Sequence, residues 1–135
     1  MEKKHFSDRQ YFLILAFAGF VWFGFRLSYG TLAPLPVMDV FVFLFFAPIA
    51  EEMFFRGVVQ DMLKRRVKGG LLLISYANIL TSVFFALVHI PFWGVFHSVL
   101  VFIPSLAFGF LFDRTGRLYY SIILHLLYNL NVFIV

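Results

Sequence analysis

Residues 41–56 have the sequence FVFLFFAPIAEEMFFR. This stretch indicates both the environment in which the chain folds and the position of its candidate functional groups. A run of apolar residues leads directly into two adjacent carboxylates, Glu51 and Glu52, and Arg56 follows four positions after Glu52. A charged side chain near the centre of a bilayer costs at least about 2.5–3.5 kcal/mol. Charges inside such an apolar run therefore require a structural or functional reason.

The composition of the whole chain is that of a membrane protein. Of its 135 residues, 62% are hydrophobic and only 13% are charged, whereas a soluble domain has about 25% charged residues. The length allows one domain, and the absence of cysteine excludes disulfides and thiolate metal sites. The net charge of +4 does not indicate a nucleic-acid partner, because the basic residues lie in short clusters between apolar runs. The expected partner is the lipid bilayer.

Apolar runs cover most of the chain, at residues 11–29, 36–63, 71–90, 93–112 and 118–135. A helix needs about 20 apolar residues to cross the hydrocarbon of a bilayer, and only helices or closed barrels can do so. The runs lack the period-2 polar alternation of barrel strands, and Pro91 is predicted to end the third helix. The sequence therefore predicts an all-α fold, a polytopic transmembrane bundle of about five helices, forming a single domain over residues 1–135. Residues 1–36 would hold the N-terminal tail, the first helix and a loop.

Basic clusters predict the orientation. Lys and Arg occur in the N-terminal tail, in residues 64–68 and at Arg114 and Arg117, and even numbers of predicted crossings separate these clusters. All three clusters then lie on one side, which the positive-inside rule makes cytoplasmic. We therefore predict an integral protein of the cell membrane with a cytoplasmic N-terminus.

The two carboxylates of the second run have different expected partners. Glu52 and Arg56 lie four residues apart, so they share a helix face and can pair. Glu51 lies about 100° around the helix and has no such partner. A buried carboxylate that is left available in this way can act as a general base toward water.

Polar groups recur in the third and fifth runs. His89 ends the third run, and His125 and Asn129 lie four residues apart in the fifth run, on one face of a helix. An imidazole and an amide one turn apart can donate hydrogen bonds to a developing oxyanion. Taken singly, these groups also fit an ion pair that packs helices, an interfacial histidine, or hydrogen bonds between helices. Their occurrence together on three runs favours a functional site.

Three motifs resemble those of the CPBP family of intramembrane endopeptidases, which comprises CAAX proteases and bacteriocin-processing proteins. Residues 51–56, EEMFFR, match its EExxxR motif. Residues 85–89, FALVH, match FxxxH, and residues 125–129, HLLYN, match HxxxN. The motifs occur in the family's order on three separate apolar runs. The resemblance covers residues 37–135, which would form the CPBP-like catalytic core.

The resemblance implies a role for each position in the first two motifs. Glu51 would be the base that activates water, assisted by His89. Glu52 and Arg56 would hold the geometry of the site. Phe85 would pack beside the site and contact the substrate.

The third motif supplies the remaining residues of the implied site. The resemblance also raises the question of whether the site holds a metal ion. His125 and Asn129 would bind the oxyanion or polarise the scissile carbonyl. The family has been described both as glutamate-type and as metal-dependent. The sequence lacks an H-E-x-x-H zinc pattern, so we favour the glutamate mechanism without a cofactor. A divalent metal such as zinc, held by Glu51, His89 and His125, is the alternative.

The resemblance implies an intramembrane endopeptidase that hydrolyses a peptide bond of a membrane-associated or exported protein. The family includes short sortase-like members, and a site that opens outward would suit such a protein-processing role. One alternative is a non-catalytic membrane protein that gives immunity against an antibacterial peptide. Another is a proton-coupled carrier, in which buried Glu and His relay protons. The sequence leaves open whether the chain self-associates into an oligomer. It also contains no signature of a particular substrate.

Overall fold

The computed structural model describes residues 6–135, so the basic residues Lys3 and Lys4 of the predicted tail lie outside the described part. Helix α1 spans Asp8–Tyr29. It begins with a capping box: the Ser7 hydroxyl accepts a hydrogen bond from the backbone N–H of Gln10, and the Gln10 side chain accepts one from the backbone of Ser7. This exchange satisfies two amide groups that a helix start leaves without partners.

Helix α2 runs without interruption over residues 37–66, but its hydrogen-bond register changes along the way. Its α-helical parts alternate with two π-helical parts, in the order Val37–Phe41, Val42–Phe46 (π), Ala47–Glu52, Met53–Gln60 (π) and Asp61–Arg66. In a π-helix each N–H bonds to the carbonyl five residues earlier, and such segments are rare and frequent at functional sites. Both π-helical parts flank the Glu51–Glu52 pair.

A short hairpin joins α2 to the next helix. Strands β1, Gly70–Leu71, and β2, Ile74–Ser75, pair in antiparallel register. The backbone φ is positive at Leu72, in the turn, and at Gly69, directly before β1. The apolar run that begins at residue 71 was expected to start a helix there; this boundary was wrong, because the hairpin takes up its first residues.

Helix α3 spans Tyr76–Thr115 and folds back on itself at Gly94. The backbone of Gly94 has φ 77° and ψ 169°, a conformation that is essentially restricted to glycine. The predicted helix end at Pro91 was wrong, because the helix continues through this proline to the glycine. The first arm, residues 76–93, and the second arm, residues 95–115, are antiparallel neighbours. The Asn78 amide of one arm donates to the Leu106 carbonyl of the other at 2.9 Å.

Helix α4 spans Leu118–Asn129 and continues as a 3₁₀ turn over Leu130–Phe133. It packs between α1 and α3. The main buried apolar cluster lies among these three helices and contains Ala16, Phe108, Phe110, Leu111 and Leu124.

Ion pairs define one end of the molecule, which we call the basic end. Arg114 pairs with Asp8 at 3.2 Å, and Lys64 pairs with Asp113 at 3.1 Å. The start of α1 and the ends of α2 and α3 therefore meet there. At the opposite end, the backbone of Thr31 pairs with that of Val135 through two hydrogen bonds of 3.0 Å.

Two of the helices are long and apolar enough to cross a membrane, namely Asp8–Tyr29 with 22 residues and Tyr76–Thr115 with 40 residues. The apolar segment Leu118–Phe133 is shorter. The prediction of an all-α fold is confirmed, with four helices and two long candidate spans in residues 6–135. Over this described part a bundle of five separate helices is not observed, because the third and fourth apolar runs form the two arms of α3.

Candidate active site

One carboxylate faces two imidazoles at the centre of the candidate site. The Oε2 atom of Glu51 lies 4.0 Å from Nε2 of His89 and 3.8 Å from Nε2 of His125. These side chains come from α2, the first arm of α3 and α4. The Glu51 side chain is 31% exposed, against 16% for His89 and 6% for His125. Glu51 is therefore the acidic group of the site that is accessible from outside.

The neighbouring carboxylate is completely enclosed. Glu52 and Arg56 have side-chain exposures of 0%, and Nε of Arg56 donates to Oε2 of Glu52 at 3.0 Å. The other oxygen of Glu52, Oε1, lies 2.9 Å from Nδ1 of His125. A carboxylate only accepts hydrogen bonds, so Nδ1 of His125 carries the proton and donates it. Glu52 thus fixes the orientation of the imidazole whose Nε2 faces Glu51.

The Arg56 guanidinium is held at all three of its nitrogens. Besides the bond to Glu52, Nη1 donates to Oε1 of Gln60 at 3.1 Å and Nη2 donates to Oγ of Ser105 at 2.7 Å. Gln60 in turn donates to the Gly109 carbonyl at 2.9 Å. Because Glu52, Arg56 and Gln60 follow one another at intervals of four residues, they lie on one face of α2. That spacing was a signal for Gln60 that the sequence analysis did not use.

The polar contacts continue into the interface between the two arms of α3. Ser105 donates to Ser82 at 3.0 Å, and Ser82 donates to Oδ1 of Asn78 at 3.1 Å. All three residues are buried. Buried polar groups are costly unless they are hydrogen-bonded, and here each one has a partner. The sequence analysis missed Ser82 and Ser105, since single hydroxyl groups in an apolar run carry no distinctive signal.

Aromatic rings enclose both histidines. Phe85 is 2% exposed, and its ring centroid lies 4.4 Å from that of His89. Its carbonyl lies 2.7 Å from Nδ1 of His89; since a carbonyl only accepts, this nitrogen carries a proton, and Nε2 is the nitrogen that faces Glu51. Phe108 stacks on His125 with centroids 4.6 Å apart and an angle of 19° between the rings. Phe85 therefore lies at the site, and Phe108 is a further wall that the motifs did not reveal.

Asn129 is a predicted site residue whose hydrogen bond lies outside the cluster of Glu51, His89 and His125. Its Nδ2 donates to the backbone carbonyl of Phe43 at 2.8 Å. Phe43 belongs to the first π-helical part of α2, one helix turn before Pro48. The structure thus joins Asn129 to the helix that carries Glu51, through the backbone of that helix.

The geometry of the site also bears on whether these residues could hold a metal ion. Within residues 6–135, no group of three or more His, Cys, Asp or Glu side chains is arranged to hold a metal ion. The alternative set of Glu51, His89 and His125 does converge, but its facing atoms are 3.8 and 4.0 Å apart. One nitrogen of each imidazole is already committed, to Glu52 and to the Phe85 carbonyl.

A comparison with protein-family models gives one match. The model described as "Type II CAAX prenyl endopeptidase Rce1-like" matches residues 33–131, which is well over half of the chain. The match includes the complete set of predicted site residues. No curated protein and no solved structure matches the chain.

Proposed function

This chain belongs to the Rce1-like family of type II CAAX prenyl endopeptidases, and we propose that it is an intramembrane endopeptidase that uses Glu51 to activate water. The family membership confirms the resemblance read from the three motifs, and with the two long apolar helices it makes the chain a membrane protein. The observation that carries the proposal is the convergence of Glu51 on two imidazoles. The neighbouring Glu52 is meanwhile neutralised by Arg56.

The spacing of the three groups suits one water molecule. Distances of 3.8 and 4.0 Å are too long for direct hydrogen bonds, but a water that makes bonds of about 2.8 Å to each atom spans them. In the proposed reaction, the water oxygen attacks the scissile carbonyl carbon while Glu51 takes one water proton. The lone pair on Nε2 of His89 accepts the second water hydrogen and so orients the attack.

Charge balance supports a different role for His125. Glu51 and Glu52 carry two negative charges and Arg56 carries one positive charge, so a proton on Nε2 of His125 makes the buried group neutral overall. Uncompensated charge is costly in a low-dielectric interior. The Nε2–H of His125 would then donate to the carbonyl oxygen as it becomes an oxyanion.

The proton that Glu51 takes from water completes the cycle. When the tetrahedral intermediate collapses, the C–N bond breaks and Glu51 returns this proton to the leaving amine nitrogen. The enzyme then regains its starting charges, and the products are a carboxylic acid and an amine; transfer of the acid's proton to the amine gives the carboxylate and the ammonium ion. The predicted oxyanion role of Asn129 stays a prediction, since its observed hydrogen bond goes to Phe43.

We further propose that the whole chain is one transmembrane domain whose two α3 arms each cross the bilayer, together with α1, α2 and α4. The basic end, with Lys64 and Arg114, would then face the cytoplasm, as the positive-inside rule requires. His89 lies near the Gly94 bend, at the opposite end. A site placed there would process a membrane-associated or exported protein, in a sortase-like role.

The test is a comparison of newly formed peptide termini in membranes from cells that produce the wild-type protein, the Glu51→Gln variant or the Asp39→Asn variant. Asp39 lies on the same helix, away from the site, and provides a matched control. We expect specific termini in the wild-type and Asp39→Asn membranes that are lost with Glu51→Gln. If Glu51→Gln still protects cells from an antibacterial peptide while no termini depend on Glu51, the non-catalytic immunity role replaces this proposal.

A further inference from the structure

The carbonyl of Phe43 lacks a donor within its own helix. In the π-helical part of α2, the N–H of Ala47 bonds to the carbonyl of Val42, five residues earlier. The next N–H in this register would come from residue 48 and would serve Phe43. Residue 48 is a proline, which has no N–H. Pro48 therefore leaves the Phe43 carbonyl without a backbone partner.

Asn129 supplies the missing donor across the interface between α2 and α4, at 2.8 Å. In a hydrocarbon environment an unpaired backbone carbonyl costs several kcal/mol, so this bond is strongly favoured once α4 is in place. Binding an oxyanion does not by itself require a hydrogen bond from Asn129 to this carbonyl.

This bond is the second of two connections between the same helices. The first joins Glu52 of α2 to His125 of α4 at 2.9 Å. The second joins Phe43 to Asn129, one turn further along α4. Because one bond lies beside Glu51 and the other lies before it on α2, together they fix both the position and the tilt of the segment that carries Glu51.

We infer that Asn129 is a positioning residue: it holds the proline-interrupted segment of α2 against α4, so that the Glu51 carboxylate faces His89 and His125. The inference rests on the proposed function for its effect on turnover. It differs from the role implied by the motif, in which the Asn129 amide touches the reacting carbonyl. The two roles make opposite predictions about Pro48.

A double-mutant cycle separates them. The variants are Asn129→Ala, Pro48→Ala and the two combined, with kcat, KM and the thermal midpoint measured on the protein in lipid nanodiscs. Misplacement of Glu51 by Asn129→Ala is expected to lower kcat by about 10- to 100-fold, with KM little changed. The Pro48→Ala substitution provides a backbone N–H in register with Phe43, so adding it is expected to recover most of that loss. Pro48→Ala alone is expected to leave kcat close to that of the wild type.

If Asn129 instead binds the oxyanion, a donor at residue 48 is of no use to it. The double variant would then show the full loss of Asn129→Ala multiplied by any loss of Pro48→Ala, as independent effects do, and the inference would be overturned. The thermal midpoints test the hydrogen bond separately from turnover: Pro48→Ala should also restore the midpoint lowered by Asn129→Ala. Recovery of the midpoint in a chain without peptidase activity would refute the proposed function and leave the Asn129–Phe43 connection standing.

Discussion

The buried Nδ1 of His125 donates to Oε1 of Glu52 at 2.9 Å, and this bond joins the Glu51–His89–His125 group to the buried Glu52–Arg56 pair. Glu52 accepts from Arg56 on its other oxygen, so the carboxylate links a buried cation to an imidazole. The Nε2 of the same imidazole is left facing Glu51. The adjacent glutamates thus have separate tasks, which follow from their different surroundings.

Glu52→Gln is expected to destabilise the fold strongly. The amide loses the negative charge that compensates the fully buried Arg56, and breaking a buried ion pair on one side costs about 3–5 kcal/mol. Unfolding in denaturant in detergent micelles measures this cost. Glu51→Gln is the matched control and should cost clearly less stability, because Glu51 is partly exposed and makes no ion pair with Arg56. Equal stability of the two variants would contradict the assignment of Glu52 to support.

Gln60→Leu tests the outer part of the same network. Leucine has a similar volume but leaves Nη1 of Arg56 without its partner and removes the bond to the Gly109 carbonyl, and a buried unsatisfied group costs about 1–3 kcal/mol. We expect a lower thermal midpoint, with Met62→Leu on the exposed surface of α2 as the control. A midpoint equal to that of the wild type would mean that water or another group replaces the glutamine.

Gly94→Ala tests the fold of α3. At φ 77° a Cβ atom is strained even though nothing lies within 4 Å of it, and left-handed backbone costs about 1–2 kcal/mol in a residue other than glycine. Gly24→Ala is a matched control, because it lies inside α1 with open space around it. The thermal midpoint should fall for Gly94→Ala and stay or rise for Gly24→Ala. The reverse order would be evidence against the bend.

Removal of metal ions tests the choice between the two mechanisms. If Glu51 activates water directly, turnover should be unchanged after dialysis against EDTA and 1,10-phenanthroline. A metal held by Glu51, His89 and His125 predicts instead a loss that zinc restores. The second result would mean that the same three residues bind a metal ion instead of activating water directly.

The charged residues and the Glu52–Arg56 pair could be predicted from the sequence, but the contacts between separate helices could not. Glu51, Glu52, Arg56 and the histidines stood out because ionisable groups are rare in apolar runs. Ser105 could not be linked to Arg56, because their contact depends on how the arms of α3 fold together. The third helix was predicted to end at Pro91, since proline is the stronger helix breaker in sequence.

The backbone of α2 shows a second reason for the difference. A π-helical part has no characteristic composition. The missing backbone donor to the Phe43 carbonyl therefore could not be predicted until the hydrogen-bond register of the helix was known. The oxyanion role of Asn129 was predicted from its spacing to His125 and from the HxxxN motif. The observed bond to Phe43 shows that the same spacing serves helix packing.

The turnover of Glu51→Gln is the measurement that tests the central claim most directly. With a substrate identified from the membrane termini, cleavage by purified wild-type protein and by this variant would be compared in nanodiscs, with Asp39→Asn alongside. Loss of the general base is expected to lower kcat by at least about 10²–10⁴-fold, while the variant stays folded in its thermal unfolding profile. Cleavage by folded Glu51→Gln at the wild-type rate would contradict the account.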